Sequence, residues 1–362
     1  MIYKNQFIEL SFKNFKHNSS KLKTHTNKNI IAVVKSNAYG HGIKEISLFA
    51  DQDLNISIIA THSFSEALML RKKKIKKKIL VLAHLDKSPV YAKKLDISIV
   101  VYNFEQLNLA LKYNYNFHLK FNTGLNRLGF NDKDTKAIID FLKKNKLEPE
   151  GIFSHFAESE AQNISFTEEQ IKKFNNIIKQ FKEANINCKY IHISNSTAFL
   201  RSLDSIYSNT IRCGGSLLGL KKNLYSKEFE VNLLPVLSWY SPIIEIRTVE
   251  AGETIGYNRT FTTKTESKIA IVATGYFDGY SSELSNCGSI AINNQFAPVV
   301  GKICMNMFMI DITKIPNLKI GNLVELIGPS LTIDKMCELI KQPIYATACK
   351  INSQIKRIIV TT

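Results

Sequence analysis

Eight short apolar runs punctuate the first two hundred or so residues, at Ile30–Val34, Ile56–Ala60, Ile79–Leu82, Ile97–Val101, Phe117–Phe121, Gly151–Phe153, Tyr190–Ile193 and around Thr210–Arg212. Most are rich in β-branched residues and bounded by polar or glycine-bearing stretches, as in strands buried on both faces of a parallel sheet. Helix-like segments intervene, among them Ser63–Leu70, Glu105–Leu111, Thr135–Lys144 and Thr167–Ala184. The alternation predicts an α/β fold built on a closed (β/α)8 barrel of the TIM type, with an open doubly wound sheet as the alternative. Phe7–Phe12 alternates like a half-buried strand, and Lys13–Leu22 reads as a helix. After about Leu220 the texture changes to short strands broken by Gly, Asn and Pro, at Val236, Ser241–Ile246, Lys268–Ala273, Ser289–Ile292, Pro298–Val300, Met307–Ile310 and Leu323–Ile327. The 362 residues exceed what one core usually supports. We therefore divide them into a barrel over 1–225 and a mostly-β domain over 226–362, with 1–12 a candidate strand of the second unit.

Composition narrows the function classes. At 44% hydrophobic and 22% charged, the chain is not wholly disordered. A net charge of +17 could suit nucleic acid or an anionic surface. The lysines are spread, however, and the one dense run, Arg71–Lys78, carries no interleaved aromatics for base stacking. It reads as a solvated loop, and neither nucleic acid nor membrane is expected as a partner. The six cysteines show no CxxC pairing, no apolar signal-peptide core opens the chain and no run approaches membrane-spanning length. A reduced, cytoplasmic protein is the expectation.

Chemistry-bearing side chains fall just after the predicted strands, where a barrel places its site. They are Lys35, His84, Asn122 with Arg127, His155, Asn195 with Ser196, and Gly214. Lys35 closes the run Ile30-Ile31-Ala32-Val33-Val34 and precedes Ser36-Asn37-Ala38-Tyr39-Gly40-His41-Gly42, whose two glycines suit a tight turn. Apolar walls would lower its pKa and free the amine as nucleophile or base; a solvated lysine past a strand end is the plainer reading. His84, His155 and His192 lack an accompanying carboxylate cluster, so a metal-dependent hydrolase is remote and no metal is expected.

The run Ala32–Gly42 resembles the pyridoxal 5'-phosphate (PLP) lysine motif of alanine racemases. Further blocks resemble the same family in order: Phe7–Leu10, Phe15–Asn18, Phe121–Phe130, His155–Ala157, Asn195-Ser196, Arg212–Gly214, Gly256-Tyr257, Gly275–Tyr280 and Gly301–Met305. The resemblance implies a homodimer of a PLP-binding barrel and a β domain, acting on alanine to supply D-alanine for peptidoglycan. It implies Lys35 as cofactor lysine and one base, and Tyr257 of the partner subunit as the other. A phenol titrates near about 10, so Tyr257 would need cationic neighbours. By the same resemblance Arg212 meets the pyridine nitrogen, His155 buttresses it, and Asn195 lies at the cofactor. Tyr39, Ser196, Gly214 and Gly215 hold the phosphate; Arg127 and Met305 take the substrate carboxylate; Tyr276 narrows the entrance; and Lys120 occupies the position of a lysine often carbamylated.

Some positions depart from the family pattern. Ser353 and Gln354 stand where the resemblance has tyrosine and arginine, so that tyrosine's phosphate contact does not carry over directly and serine would replace it only through water or a moved backbone. Asn306 replaces a usual aspartate, and Cys213, Gly215 and Leu218 alter the surroundings of Arg212. A broader or serine-preferring racemase, a PLP-dependent decarboxylase and a PLP-binding regulatory protein are the alternative readings.

Overall fold

The structure, a computed structural model, describes residues 5–220, 231–293 and 295–361. The boundary placed between 225 and 226 lies outside the described residues.

Eight parallel strands form the first unit: β2 (Asn29–Val33), β3 (Ile56–Ser63), β4 (Ile79–His84), β5 (Ile97–Val101), β6 (Phe117–Lys120), β7 (Gly151–Phe153), β8 (Tyr190–His192) and β9 (Thr210–Cys213). They pair in the order β8-β7-β6-β5-β4-β3-β2-β9. The ring closes where Arg212 N donates to Ser194 O at 3.2 Å, beside a bridge between Asn195 and Arg212. The closed barrel, not the open sheet, is the fold. Helices follow most strands, for example Phe64–Lys72, which starts on a capping box of Ser63 and Glu66. Between β4 and β5 only turns make the crossover.

Strand residues alternate between helix layer and barrel lumen. In β2 to β4 the lumen positions Ile31, Val33, Ile58, Ala60, Leu80 and Leu82 pack as one apolar cluster with Tyr190. On the opposite wall the same period puts His118, Lys120, His192 and Arg212 inward, while Phe117, Leu119, Ile191 and Ile211 join the outer core. The barrel interior is thus apolar on one side and polar on the other.

The second unit is antiparallel. Its long strand β10 (Leu237–Val249) is the hub. A ring closes through β13 (Ser267–Val272), β16 (Phe308–Asp311), β15 (Gln295–Val300), β14 (Ser289–Ile292) and β17 (Leu323–Ile327) back to β10. Closure leaves no free edge along that ring. A small pair, β11 (Thr254–Ile255) and β12 (Phe261–Thr262), lies outside it. The first strand, β1 (Phe7–Ser11), pairs antiparallel with β10 and parallel with β18 (Lys356–Val360), so both ends of the described chain meet there. The helix Ile344–Cys349 returns from this unit to pack on the Lys35 turn.

Candidate active site at the barrel mouth

Lys35 stands one residue past the hydrogen bond from Val34 N to Ala60 O, at the C-terminal end of β2. The backbone then winds left-handed: Ser36, Asn37, Ala38 and Tyr39 have φ of 55°, 54°, 49° and 53°. Each such L-residue costs about 1–2 kcal/mol, so four in a row need outside support. The glycines therefore do not absorb all the strain of this turn. Asn37 Oδ1 accepts from Ile43 N at 3.0 Å, and Arg357 Nη2 donates to Gly40 O at 2.9 Å. Gly40, at φ 81°, lies so close to the returning helix that a Cβ would sit 1.9 Å from Ala348 O. The winding places Lys35 and Tyr39 on the wall of one cavity of about 780 Å³.

His155, Asn195, Ser196, Arg212, Gly214 and Gly215 line the same cavity, joined by Tyr345, Ala346 and Cys349 of the returning helix. The surroundings of Lys35 are cationic. Burial lowers its pKa first, then the positive charges of Arg127 and Arg212 lower it further. Lys120, at the end of β6 and 5% exposed, is depressed to about 8 by burial and by Arg127, Arg212 and Lys35. Arg127 itself is exposed, on a loop where Asn122 Oδ1 accepts from Asn126 N at 2.9 Å.

Arg212 is the best-held group in the site. Its Nη1 donates to His192 Nδ1 at 2.7 Å and to His192 O at 3.2 Å. Its Nη2 donates to the carbonyls of Ser154 and Ile193, both at 2.9 Å, and to His155 Nδ1 at 2.9 Å. Among the described residues its Nε has no protein partner, which leaves one donor for a ligand acceptor. Burial and the guanidinium hold His155 and His192 well below the ordinary histidine range, so both are neutral acceptors toward it. With Nδ1 accepting, His192 carries its proton on Nε2, 3.1 Å from His118 Nδ1. His118, also neutral, ends this series with a buried Nε2 that has no partner among the described residues. The roles of His118 and His192 escaped sequence reading, although their i, i+2 spacing from Lys120 and Tyr190 marks lumen positions. His155 and His192 are both engaged by the arginine.

Beyond β9 the chain turns through Gly214 and Gly215. Gly214 N donates to Ser196 Oγ at 3.2 Å, and Ser216 Oγ to Ser196 Oγ at 3.0 Å. The Ser196 hydroxyl and the side-chain-free backbone of Gly214 and Gly215 line the cavity on this side and leave room for an oxyanion. The residues lining the cavity therefore fit PLP: an amine for the aldehyde, a donor-only guanidinium for the ring nitrogen, and a wall of hydroxyls and glycines for the phosphate.

Tyr257, Tyr276 and Met305 do not line this cavity. They stand on the β domain with 68%, 48% and 54% of their surface exposed. Tyr276 N donates to Cys304 O at 3.1 Å and Phe277 N to Met305 O at 3.0 Å, so two of the three share one loop pair. Phe277 and Met307 extend the exposed apolar face. Ser353 is exposed as well, its carbonyl accepting from Arg357 Nη1 at 2.9 Å.

A closed barrel with a desolvated lysine and a buried arginine at its C-terminal mouth, followed by an antiparallel β domain, defines a two-domain barrel enzyme. Comparison with known proteins gives the family. Residues 10–222 match the alanine racemase N-terminal domain, and 236–359 match the alanine racemase C-terminal domain. The chain is 35% identical to the alanine racemase of Fusobacterium nucleatum, over 98% of this chain and 99% of that one. It is 34% identical to that of Borreliella burgdorferi, over 98% and 96%. The solved alanine racemase of E. faecalis superposes with a TM-score of 0.89 at 28% identity, over 99% of this chain and all of that one. The chain belongs to the alanine racemase family, and it is an isomerase.

Proposed function

We propose that the chain interconverts L- and D-alanine with PLP, using Lys35 and Tyr257 of the partner subunit as the two bases. The reading rests most on one observation: Lys35 and Arg212 line a single cavity at the barrel mouth. PLP supplies an electron sink that acidifies the α-proton of a bound amino acid.

The chain's own residues do the rest. Lys35 would hold the cofactor aldehyde, and its amine, whose pKa is lowered by burial and by two arginines, moves a proton on one face of the α-carbon. Configuration inverts only if a second group acts on the opposite face, the role of Tyr257. Arg212, which can only donate, favours an unprotonated ring nitrogen and so a weaker sink, limiting side reactions. His155 and Asn195 fix its surroundings; Tyr39, Ser196, Gly214 and Gly215 take the phosphate. Arg127 and the backbone N–H of Met305 take the substrate carboxylate, and Tyr276 narrows the entrance. Lys120, depressed to about 8, has enough free amine at neutral pH to take up CO2, and the resulting carbamate would face Arg127 as an anion. Because Tyr257, Tyr276 and Met305 lie outside the cavity of their own chain, they serve the partner's site in a homodimer. A cytoplasmic setting and supply of D-alanine for peptidoglycan complete the reading. The six unpaired cysteines suit a reducing compartment, and among the described residues no helix is long and apolar enough to cross a membrane.

Incubation with each alanine enantiomer in deuterated buffer tests the proposal. The expected result is exchange of the α-proton from both, with appearance of the opposite enantiomer and Lys35 labelled after borohydride reduction. Release of CO2 would favour the decarboxylase reading, and cofactor binding without exchange the regulatory one. Turnover of serine enantiomers against alanine fixes the substrate preference.

A further inference from the structure

The segment after the returning helix joins the barrel mouth to the exposed face of the β domain. Arg357, half-buried on β18, gives its hydrogen bonds to main-chain carbonyls from two distant stretches. Its Nη2 donates to Gly40 O at 2.9 Å, across 317 positions of the chain. Its Nη1 donates to Asn352 O and Ser353 O, both at 2.9 Å, and to Ile355 O at 2.5 Å. Gly40 ends the left-handed winding that follows Lys35. The loop that Arg357 gathers is fastened on its other side to the β domain. Asn352 N donates to Asp278 O at 3.0 Å, and Asn352 Nδ2 to Phe277 O at 3.4 Å. Gly279, at φ 97°, packs so closely that a Cβ would sit 2.3 Å from Lys350 O. Phe277 N and Tyr276 N meet Met305 O and Cys304 O in turn, and a Cβ at Gly275 would lie 2.3 Å from either carbonyl. A series of hydrogen bonds and close contacts thus runs from the Lys35 turn to the loop pair bearing Tyr276 and Met305.

We infer that Arg357 is a positioning residue for two active sites at once: it fixes the Lys35 turn of its own chain and, through Asn352 and Phe277, the Tyr276 and Met305 loops offered to the partner's site. The inference rests on the shared-site reading proposed above. A guanidinium suits the task because its rigid planar fork aims separate donors at separate acceptors. Lysine puts one nitrogen where two now serve different carbonyls, so it cannot hold Gly40 and the 352–355 loop in the same geometry.

A mixed dimer tests the assignment. A Lys35→Ala chain paired with a Tyr257→Phe chain contains one complete site, with Lys35 from the second chain and Tyr257 and Met305 from the first. Arg357→Lys is placed on one chain at a time, in heterodimers isolated through two affinity tags. On the Lys35-donating chain it should weaken PLP binding at the complete site about tenfold, the loss of hydrogen bonds from a charged group. On the Tyr257-donating chain it should lower kcat/KM for alanine about tenfold while the PLP Kd stays within about twofold. A general loss of packing would not sort the two readouts by chain, and equal changes from either position would overturn the assignment. Unchanged kcat/KM in the second arrangement would confine Arg357 to its own mouth, and an unchanged PLP Kd in the first would detach it from the Lys35 turn; either result overturns the inference. Where Arg357→Lys gives no stable heterodimer, Arg357→Gln is read in the same two positions against the same criteria. A mixed dimer with native Arg357 and no more activity than its parent homodimers would overturn the shared-site reading itself, an outcome distinct from the others.

Discussion

The barrel mouth and the exposed face of the β domain are built in opposite ways. At the mouth, five acceptors from His155, His192 and three backbone carbonyls hold Arg212, and a left-handed turn is clamped from above by Ala348 and Arg357. On the β domain Tyr257, Tyr276, Phe277, Met305 and Met307 expose apolar surface. On the proposed reading, groups acting inside their own chain are preorganised by buried hydrogen bonds, and groups serving a partner are left exposed on short loops. The contrast predicts that mouth substitutions cost folding and cofactor binding, whereas substitutions on the face cost turnover alone.

The largest effect is expected from Lys35→Ala, which removes the proposed cofactor lysine and one proposed base together. Racemisation in both directions should fall by more than about 10^3-fold, and borohydride should no longer label the protein. Tyr257→Phe should lower turnover by about 10^2-fold while Tm and PLP affinity stay near wild type, because an exposed side chain contributes little to stability. Loss of cofactor affinity in this variant would break the division between mouth and face. Gly40→Ala probes the clamp. A Cβ 1.9 Å from Ala348 O at a positive φ should destabilise the fold by about 3 kcal/mol in denaturant unfolding and weaken PLP binding with it.

The smallest effect is a pH dependence of stability. Burial depresses His41 to about 4 and His118 to about 3, below the unfolded value of about 6.5. In that window the unfolded chain binds more protons, so stability is intact above about pH 6.5 and falls as pH drops toward 4. His155 and His192 shift in the same direction. Tm followed from pH 7 to 4 should decline, and less steeply in His118→Asn; an equal slope would show that His118 does not titrate in this way.

How far the site was legible differs from residue to residue. Lys35, Arg212, His155 and Ser196 could be placed at strand ends because apolar runs buried on both faces announce a barrel. His118 and His192 were not assigned to Arg212, because in strands of three or four residues an inward polar position looks like a break in the run. The turn after Lys35 was read from its glycines, but the strain falls on Ser36 to Tyr39, residues whose composition gives no warning of positive φ. Its support comes from a segment three hundred residues away.

By itself the amino-acid order determined the barrel, the β domain and the residue types available at the mouth, since these follow from local periodicity and from motifs contiguous in the chain. Tertiary structure alone decided which side chains share the cavity. Tyr345 meets Gly215 because the C-terminal helix folds back over the first βα turn, and Ser353, eight residues further on, is carried to the surface. That distinction depends on long-range packing of the two units, which no local pattern in the chain records.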